Sequence, residues 1–85
     1  MKTLAFTAAA LLAVAIYSPA HAQAEFQTQQ AAQQHCPNDT VVWLNTDSGI
    51  FHFQGERWYG RTEDGAYVCE KEAEQDGDRA TRNGQ

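Results

Sequence analysis

The first two dozen residues constrain this chain most strongly, because they decide how much of it is left to fold. Lys2 supplies a positive start, an apolar run extends from Leu4 to Tyr17, and small residues surround His21. This pattern is typical of a secretory signal peptide, and the run is too short for a membrane anchor. Residues 1–22 are therefore predicted to be a signal peptide, cleaved after Ala22 or, as a second choice, after Ala24. We expect a periplasmic or secreted protein.

Residues 23–85 leave room for at most one small domain. The stretch 23–35 is rich in Gln and Ala, and Phe26 is its only large apolar residue. Such a segment buries too little surface to offset its ordering entropy, so we expect a flexible leader. The folded domain is then residues 36–85. A chain this short usually needs a disulfide, a metal or a partner to remain folded.

Two pairs of β-forming runs predict a small antiparallel sheet of two hairpins. In the first pair, runs 41–44 and 50–53 flank a polar turn in which Gly49 takes a positive φ. In the second pair, runs 57–61 and 66–69 flank Asp64-Gly65. The helix formers in 70–76, followed by Gly77, predict one short C-terminal helix packed on the sheet. The predicted fold class is therefore α+β.

The two cysteines, Cys36 and Cys69, bracket the β-forming part of the chain. In an oxidising compartment this arrangement predicts one disulfide. Its effect on the unfolded chain stabilises the fold by roughly 3.5 to 4 kcal/mol. The alternative is a zinc site formed by both cysteines with His35 and His52, which is weaker because no two ligands have the close spacing of zinc motifs.

From Val42 onward the chain resembles the metal-binding domain of the Ada DNA-repair family. The likeness rests on Asn45-Thr46-Asp47-Ser48-Gly49, the stretch from His52 to Glu56, and the pattern from Glu72-Ala73 to Gly77-Asp78-Arg79. The chain is also similar to small exported bacterial proteins that carry SGxxHxxGxRWYG followed by EAxxxGxR.

The Ada resemblance implies a zinc ion held by four cysteines, one of which accepts a methyl group from DNA. Those four positions fall on His52 and Glu56 and near Thr81 and Gly84, so none of them carries a thiol. Methyl transfer and structural zinc both need the thiolates. The formal net charge of −5 also disfavours contact with DNA phosphates. We expect no enzyme activity, no cofactor and no nucleic-acid partner, with a disulfide in place of the zinc.

The densest candidate binding surface contains two aromatic rings flanked by two guanidinium groups: Arg57, Trp58, Tyr59 and Arg61. Exposed rings of this kind stack on sugars or anchor a protein partner. The alternative is that Trp58 and Tyr59 alternate across a strand and serve packing. We expect a non-catalytic binding or structural module of the bacterial periplasm. It would be a monomer without a membrane anchor, and its partner a protein or a cell-wall glycan.

His52 and Glu56 are the weak candidates for a metal site, because a His and a carboxylate four residues apart could hold a divalent ion or act as an acid–base pair. The commoner arrangement is a sheet-surface His beside a solvated turn carboxylate. The alternative function is a degenerate metal- or nucleic-acid-binding module at these residues. The acidic residues of 70–78 lack the order of a calcium loop and predict a solvated face.

Overall fold

The computed structural model describes residues 23–85, so the predicted signal peptide lies outside the described residues. No helix in this described part is long and apolar enough to cross a membrane. Two short helices and four short strands follow one another along the chain. In order they are α1 (Gln29–His35), β1 (Val41–Asn45), β2 (Ile50–His52), β3 (Ala66–Cys69), α2 (Glu70–Gln75) and β4 (Arg79–Ala80).

The four strands form one sheet in the order β3-β1-β2-β4. β1 pairs antiparallel with β2 and with β3, whereas β2 and β4 are parallel. The predicted α+β class, with a small sheet and one disulfide, is confirmed. The sheet is mixed rather than purely antiparallel, because β4 returns alongside β2 in the same direction.

The first predicted hairpin is confirmed, and its turn is closed by the side chain of Asn45. Oδ1 of Asn45 accepts hydrogen bonds from the backbone N–H groups of Asp47 and Ser48. The N–H of Gly49 donates to the carbonyl of Asn45, and Gly49 has a φ of 75°. Only glycine adopts this conformation without a steric cost, which explains its place in the turn.

The second predicted hairpin is wrong, because residues 57–61 form successive turns instead of a strand. The N–H of Tyr59 donates to the carbonyl of Glu56, and the N–H of Arg61 donates to that of Trp58. Gly55 and Gly60 have φ values of 95° and 71°, so the chain curls at both ends of this segment. β3 pairs with β1, with Val42 opposite Val68.

The predicted C-terminal helix is confirmed as α2, and the chain leaves it through Gly77, whose φ is 91°. The short crossover from β3 through α2 brings β4 beside β2. There the N–H of Arg79 donates to the carbonyl of Gly49, and the N–H of Thr81 donates to that of Phe51. Strands β3 and β4 therefore lie at opposite edges of the sheet, with the first hairpin between them.

The expectation of a flexible leader is wrong for residues 26–35. Phe26 and Tyr67 exchange two backbone hydrogen bonds of 2.9 Å. Oγ1 of Thr28 then accepts from the N–H of Ala31 and caps α1. Ala32 in this helix is fully buried. The segment is ordered because its one large apolar residue and its small buried face both contact the folded domain.

The predicted disulfide between Cys36 and Cys69 is confirmed, and the two Cα atoms are 6.3 Å apart. It joins the end of α1 to the end of β3. The zinc alternative fails, because both sulfurs are bonded to each other. His35, Cys69 and Glu72 do lie close together, but Nε2 of His35 is 2.9 Å from the Glu72 carboxylate and the pair is explained by that contact.

The sheet has two faces with different roles. Side chains alternate along a strand, so Val42 and Leu44 point to one face and Trp43 to the other. The first face carries the hydrophobic core, which consists of Val42, Leu44, Phe51, Ala66, Val68 and Ala73 of α2. Trp43 is opposite both His52 and Tyr67, which places all three on the second face.

Candidate ligand-binding groove

An open groove of about 490 Å³ lies on the second face of the sheet. The first hairpin forms its floor. Trp58 and the segment that follows Gly60 form one wall, and the C-terminal segment forms the other wall. The lining residues are Asn45, Ser48, Ile50, His52, Trp58, Arg61, Thr62, Glu63, Thr81, Asn83 and Gln85.

His52 forms part of the floor because it lies two residues after Ile50 on β2 and therefore on the same face. Only 6 % of its surface is exposed, so the expectation of a sheet-surface histidine is wrong. Its Nδ1 is buried and has no hydrogen-bond partner. A buried polar atom without a partner costs on the order of 1–3 kcal/mol, and the hydroxyl of Tyr59 is in the same condition.

Glu56 holds the turn that carries Trp58 into the wall. Its Oε1 accepts from the N–H of Phe53 at 2.7 Å, and its own N–H donates to the carbonyl of Phe53 at 2.9 Å. The carboxylate is therefore part of a closed turn rather than a solvated group. This bond engages one of the two oxygens that a metal site with His52 would use.

Trp58 is the large hydrophobic side chain that the described residues leave exposed, at 39 %. The guanidinium carbon of Arg57 lies 5.0 Å from the centre of the indole ring. This is the range of a cation–π contact, which holds the indole in place. Because Arg57 does not line the groove and Trp58 does, the arginine supports the ring from outside.

Tyr59 turns away from the groove and packs against Tyr67, with ring centres 5.6 Å apart. Its hydroxyl is buried without a hydrogen-bond partner. Burial, with a smaller contribution from Tyr67, raises the pKa of Tyr59 above its ordinary value. Of the four residues predicted as a binding surface, Trp58 and Arg61 line the groove, while Arg57 packs on Trp58 and Tyr59 packs on Tyr67.

The loop after Arg61 is fixed to the sheet through Trp43. The indole Nε1 of Trp43 donates to Oγ1 of Thr62 at 2.7 Å, and that hydroxyl donates to the carbonyl of Asp64 at 2.7 Å. Gly65 lies against the same indole, where an added Cβ would come within 2.3 Å of Trp43. This close approach requires glycine and keeps the loop against the second face.

The C-terminal wall was not predicted from the sequence. The N–H of Trp58 donates to the carbonyl of Gln85 at 2.9 Å, which ties the two walls together. The hydroxyl of Thr81 donates to Oδ1 of Asn83 at 2.8 Å. These polar residues look like an ordinary surface tail, and only the parallel pairing of β4 with β2 brings them beside His52.

Comparisons of the chain with protein-family models, with curated proteins and with solved structures found no significant match. The Ada resemblance therefore rests on the sequence motifs, and the groove on its own geometry.

Proposed function

We propose that this protein is a small exported binding module without catalytic activity, and that its groove binds a cell-wall glycan. The observation that carries the proposal is the exposed indole of Trp58 in the wall of a groove that His52 also lines. The groove has the size of a small-ligand site. Its other lining residues are mostly hydroxyl and amide side chains, which suit a hydroxyl-rich ligand.

An aromatic ring held at the edge of a groove suits a sugar, because the C–H face of a pyranose packs on the ring while its hydroxyls reach polar groups beyond it. Arg57 and the backbone hydrogen bond to Gln85 hold Trp58 in this position. A rigid ring loses little conformational entropy when it contacts a ligand. The fixed position of the indole thus favours recognition over a role in packing.

The alternative function, a degenerate metal- or nucleic-acid-binding module, has one geometric point in its favour. His52 and Thr81, two of the positions that correspond to Ada zinc ligands, line the same groove. However, Glu56 would have to give up its hydrogen bond to Phe53 to serve as a ligand. We favour the glycan because it uses the groove in its present form.

The proposal is tested by titrating the protein with soluble peptidoglycan fragments released by a muramidase, followed by calorimetry and tryptophan fluorescence. The change Trp58→Ala should weaken binding by about tenfold or more, because the stacking surface is removed. Trp58→Tyr keeps an aromatic ring and should retain most of the affinity. Binding that is equal in the wild type and in Trp58→Ala, or no binding to the wild type at all, would refute the proposal.

A further inference from the structure

Within residues 23–85, the groove is lined by a guanidinium without a partner and by amide and hydroxyl groups whose N–H and O–H donors are unused. We infer that its ligand is an acidic saccharide, with a carboxylate attached to the sugar ring. This inference rests on the proposed function, since it specifies which glycan the same groove takes. It follows from the groups that line the groove and from the bonds that they already make.

Arg61 provides the strongest donors. Its side chain is exposed on the wall of the groove. Among residues 23–85, the only ion pair with a nitrogen–oxygen distance within 4 Å joins His35 to Glu72. No carboxylate in this part of the chain therefore neutralises Arg61. The guanidinium also makes no hydrogen bond within the described residues. Its fork of N–H groups matches the two oxygens of a carboxylate.

Two asparagines, one on the hairpin floor and one on the C-terminal wall, add further donors. Oδ1 of Asn45 already accepts from Asp47 and Ser48, and Oδ1 of Asn83 accepts from Thr81 and Gln85. Their oxygens are therefore occupied by the turn and by the C-terminal wall. The NH₂ group of each asparagine remains for a ligand, and each NH₂ only donates.

The oxygen of the Ser48 hydroxyl accepts from the N–H of Ile50, which uses one of its two lone pairs. Its O–H is then left as a donor. Three polar side chains of the hairpin turn and the C-terminal wall thus present N–H or O–H groups to a ligand beside Arg61. A ligand rich in acceptor oxygens satisfies these groups best, and a carboxylate has the largest acceptor capacity of the common sugar substituents.

Glu63 is the one carboxylate among the groove-lining side chains, and it lies exposed. It opposes an anionic ligand, whereas Arg61 attracts one. The formal net charge of the whole chain is −5, so an anion has little general attraction to this protein. Recognition of a carboxylate must then depend on the contact with Arg61, which makes that residue the point to test.

N-acetylmuramic acid and N-acetylglucosamine form a matched pair of probes, because they differ by the lactyl ether that carries the carboxylate. Binding of each is measured by NMR titration of the labelled protein. We expect N-acetylmuramic acid to bind about tenfold more tightly, as charge-assisted bidentate bonds to guanidinium are strong. Arg61→Gln should lower the affinity for N-acetylmuramic acid to the level of that for N-acetylglucosamine. Glu63→Gln should raise the affinity for N-acetylmuramic acid.

Arg79→Gln is the control, because it removes the same charge from an exposed side chain that does not line the groove, and it should leave both affinities unchanged. Equal affinity of the two sugars would overturn the acidic-saccharide inference and leave the glycan groove standing. An affinity that is insensitive to Arg61→Gln would also overturn the inference. If neither sugar shifts the resonances of the groove residues, both the proposed function and the acidic-saccharide inference fail.

Discussion

Trp58 and Tyr59 are neighbours in the sequence but serve opposite sides of the wall. Trp58 faces the groove, and Tyr59 packs on Tyr67 with its hydroxyl buried and unpaired. A buried hydroxyl without a partner destabilises the folded state relative to a ring of the same shape without it. Burial also raises the pKa of Tyr59, so the folded state favours the neutral phenol.

The change Tyr59→Phe should therefore leave the protein equally stable or more stable at pH 7, by up to about 1 kcal/mol. Because the pKa of Tyr59 is raised in the folded state, ionisation of Tyr59 does not reduce the free energy of unfolding below pH 10. Above that pH its ionisation lowers the free energy of unfolding, progressively as the pH rises through the folded-state pKa. Urea unfolding at pH 7 and above pH 10 measures both effects. The wild type should lose more stability over this pH interval than the variant. Identical losses would show that ionisation of Tyr59 is not coupled to unfolding.

At the scale of single residues, the segment predicted as a binding surface lies partly in the groove, and the sequence did not reveal which of its side chains line it. The aromatic and basic pattern at 57–61 indicated binding, and two of its four residues line the groove. The burial of His52 was not predictable, because β2 lies between β1 and β4 and β4 has no signal of its own in the sequence. No local pattern reports the hydrogen bond from the N–H of Thr81 to the carbonyl of Phe51.

Helix α1 shows how a non-local contact overrides local propensity. Seven residues rich in Gln and Ala do not form a stable helix alone in water. Here the helix is fixed by the disulfide at its C-terminal end and by the pairing of Phe26 with Tyr67 before it. The leader prediction failed because composition does not reveal these two anchors.

The packing of α1 is tested by enlarging Ala32, which is fully buried. Ala32→Leu should lower the free energy of unfolding by about 1–3 kcal/mol, since a close-packed site has no room for the extra atoms. Gln30→Leu places the same side chain on an exposed position of the same helix and should change stability by about 0.5 kcal/mol or less. Thermal melts followed by circular dichroism compare them, and similar melting points would mean that α1 does not pack on the domain.

The strands show where prediction from sequence ends. The first hairpin was predictable because its signal is local, with a polar turn and a glycine between two apolar runs. The two-residue strand β4 has no such signal, and it forms because α2 directs the chain back beside β2. The false second hairpin arose from a real turn signal at Asp64-Gly65, which serves to hold the loop against Trp43 instead.

At the scale of the whole molecule, the disulfide provides stability that the small hydrophobic core does not. Few large apolar side chains are fully buried: Phe51, Val42, Val68 and Cys69. A domain of this length has a stability of about 3–9 kcal/mol on typical per-residue values. The disulfide spans 33 positions, so its estimated contribution of roughly 3.5 to 4 kcal/mol is comparable to the total.

The double change Cys36→Ala with Cys69→Ala should consequently leave the chain largely unfolded at 37 °C. Circular dichroism melts of the oxidised protein, the reduced protein and the double variant measure this. The reduced protein and the variant should agree with each other and melt far below the oxidised form. A double variant that melts with the oxidised protein would show that the core alone supports the fold.

The bond between the N–H of Trp58 and the carbonyl of Gln85 has a consequence for how the groove is lost. Thr81, Asn83 and Gln85 line a wall of the groove and are not part of the hydrophobic core. Proteolysis between Asn83 and Gln85 should release the indole while the sheet and the disulfide remain intact. Under the proposed function, a single cut in this segment would then abolish binding and leave a folded domain behind.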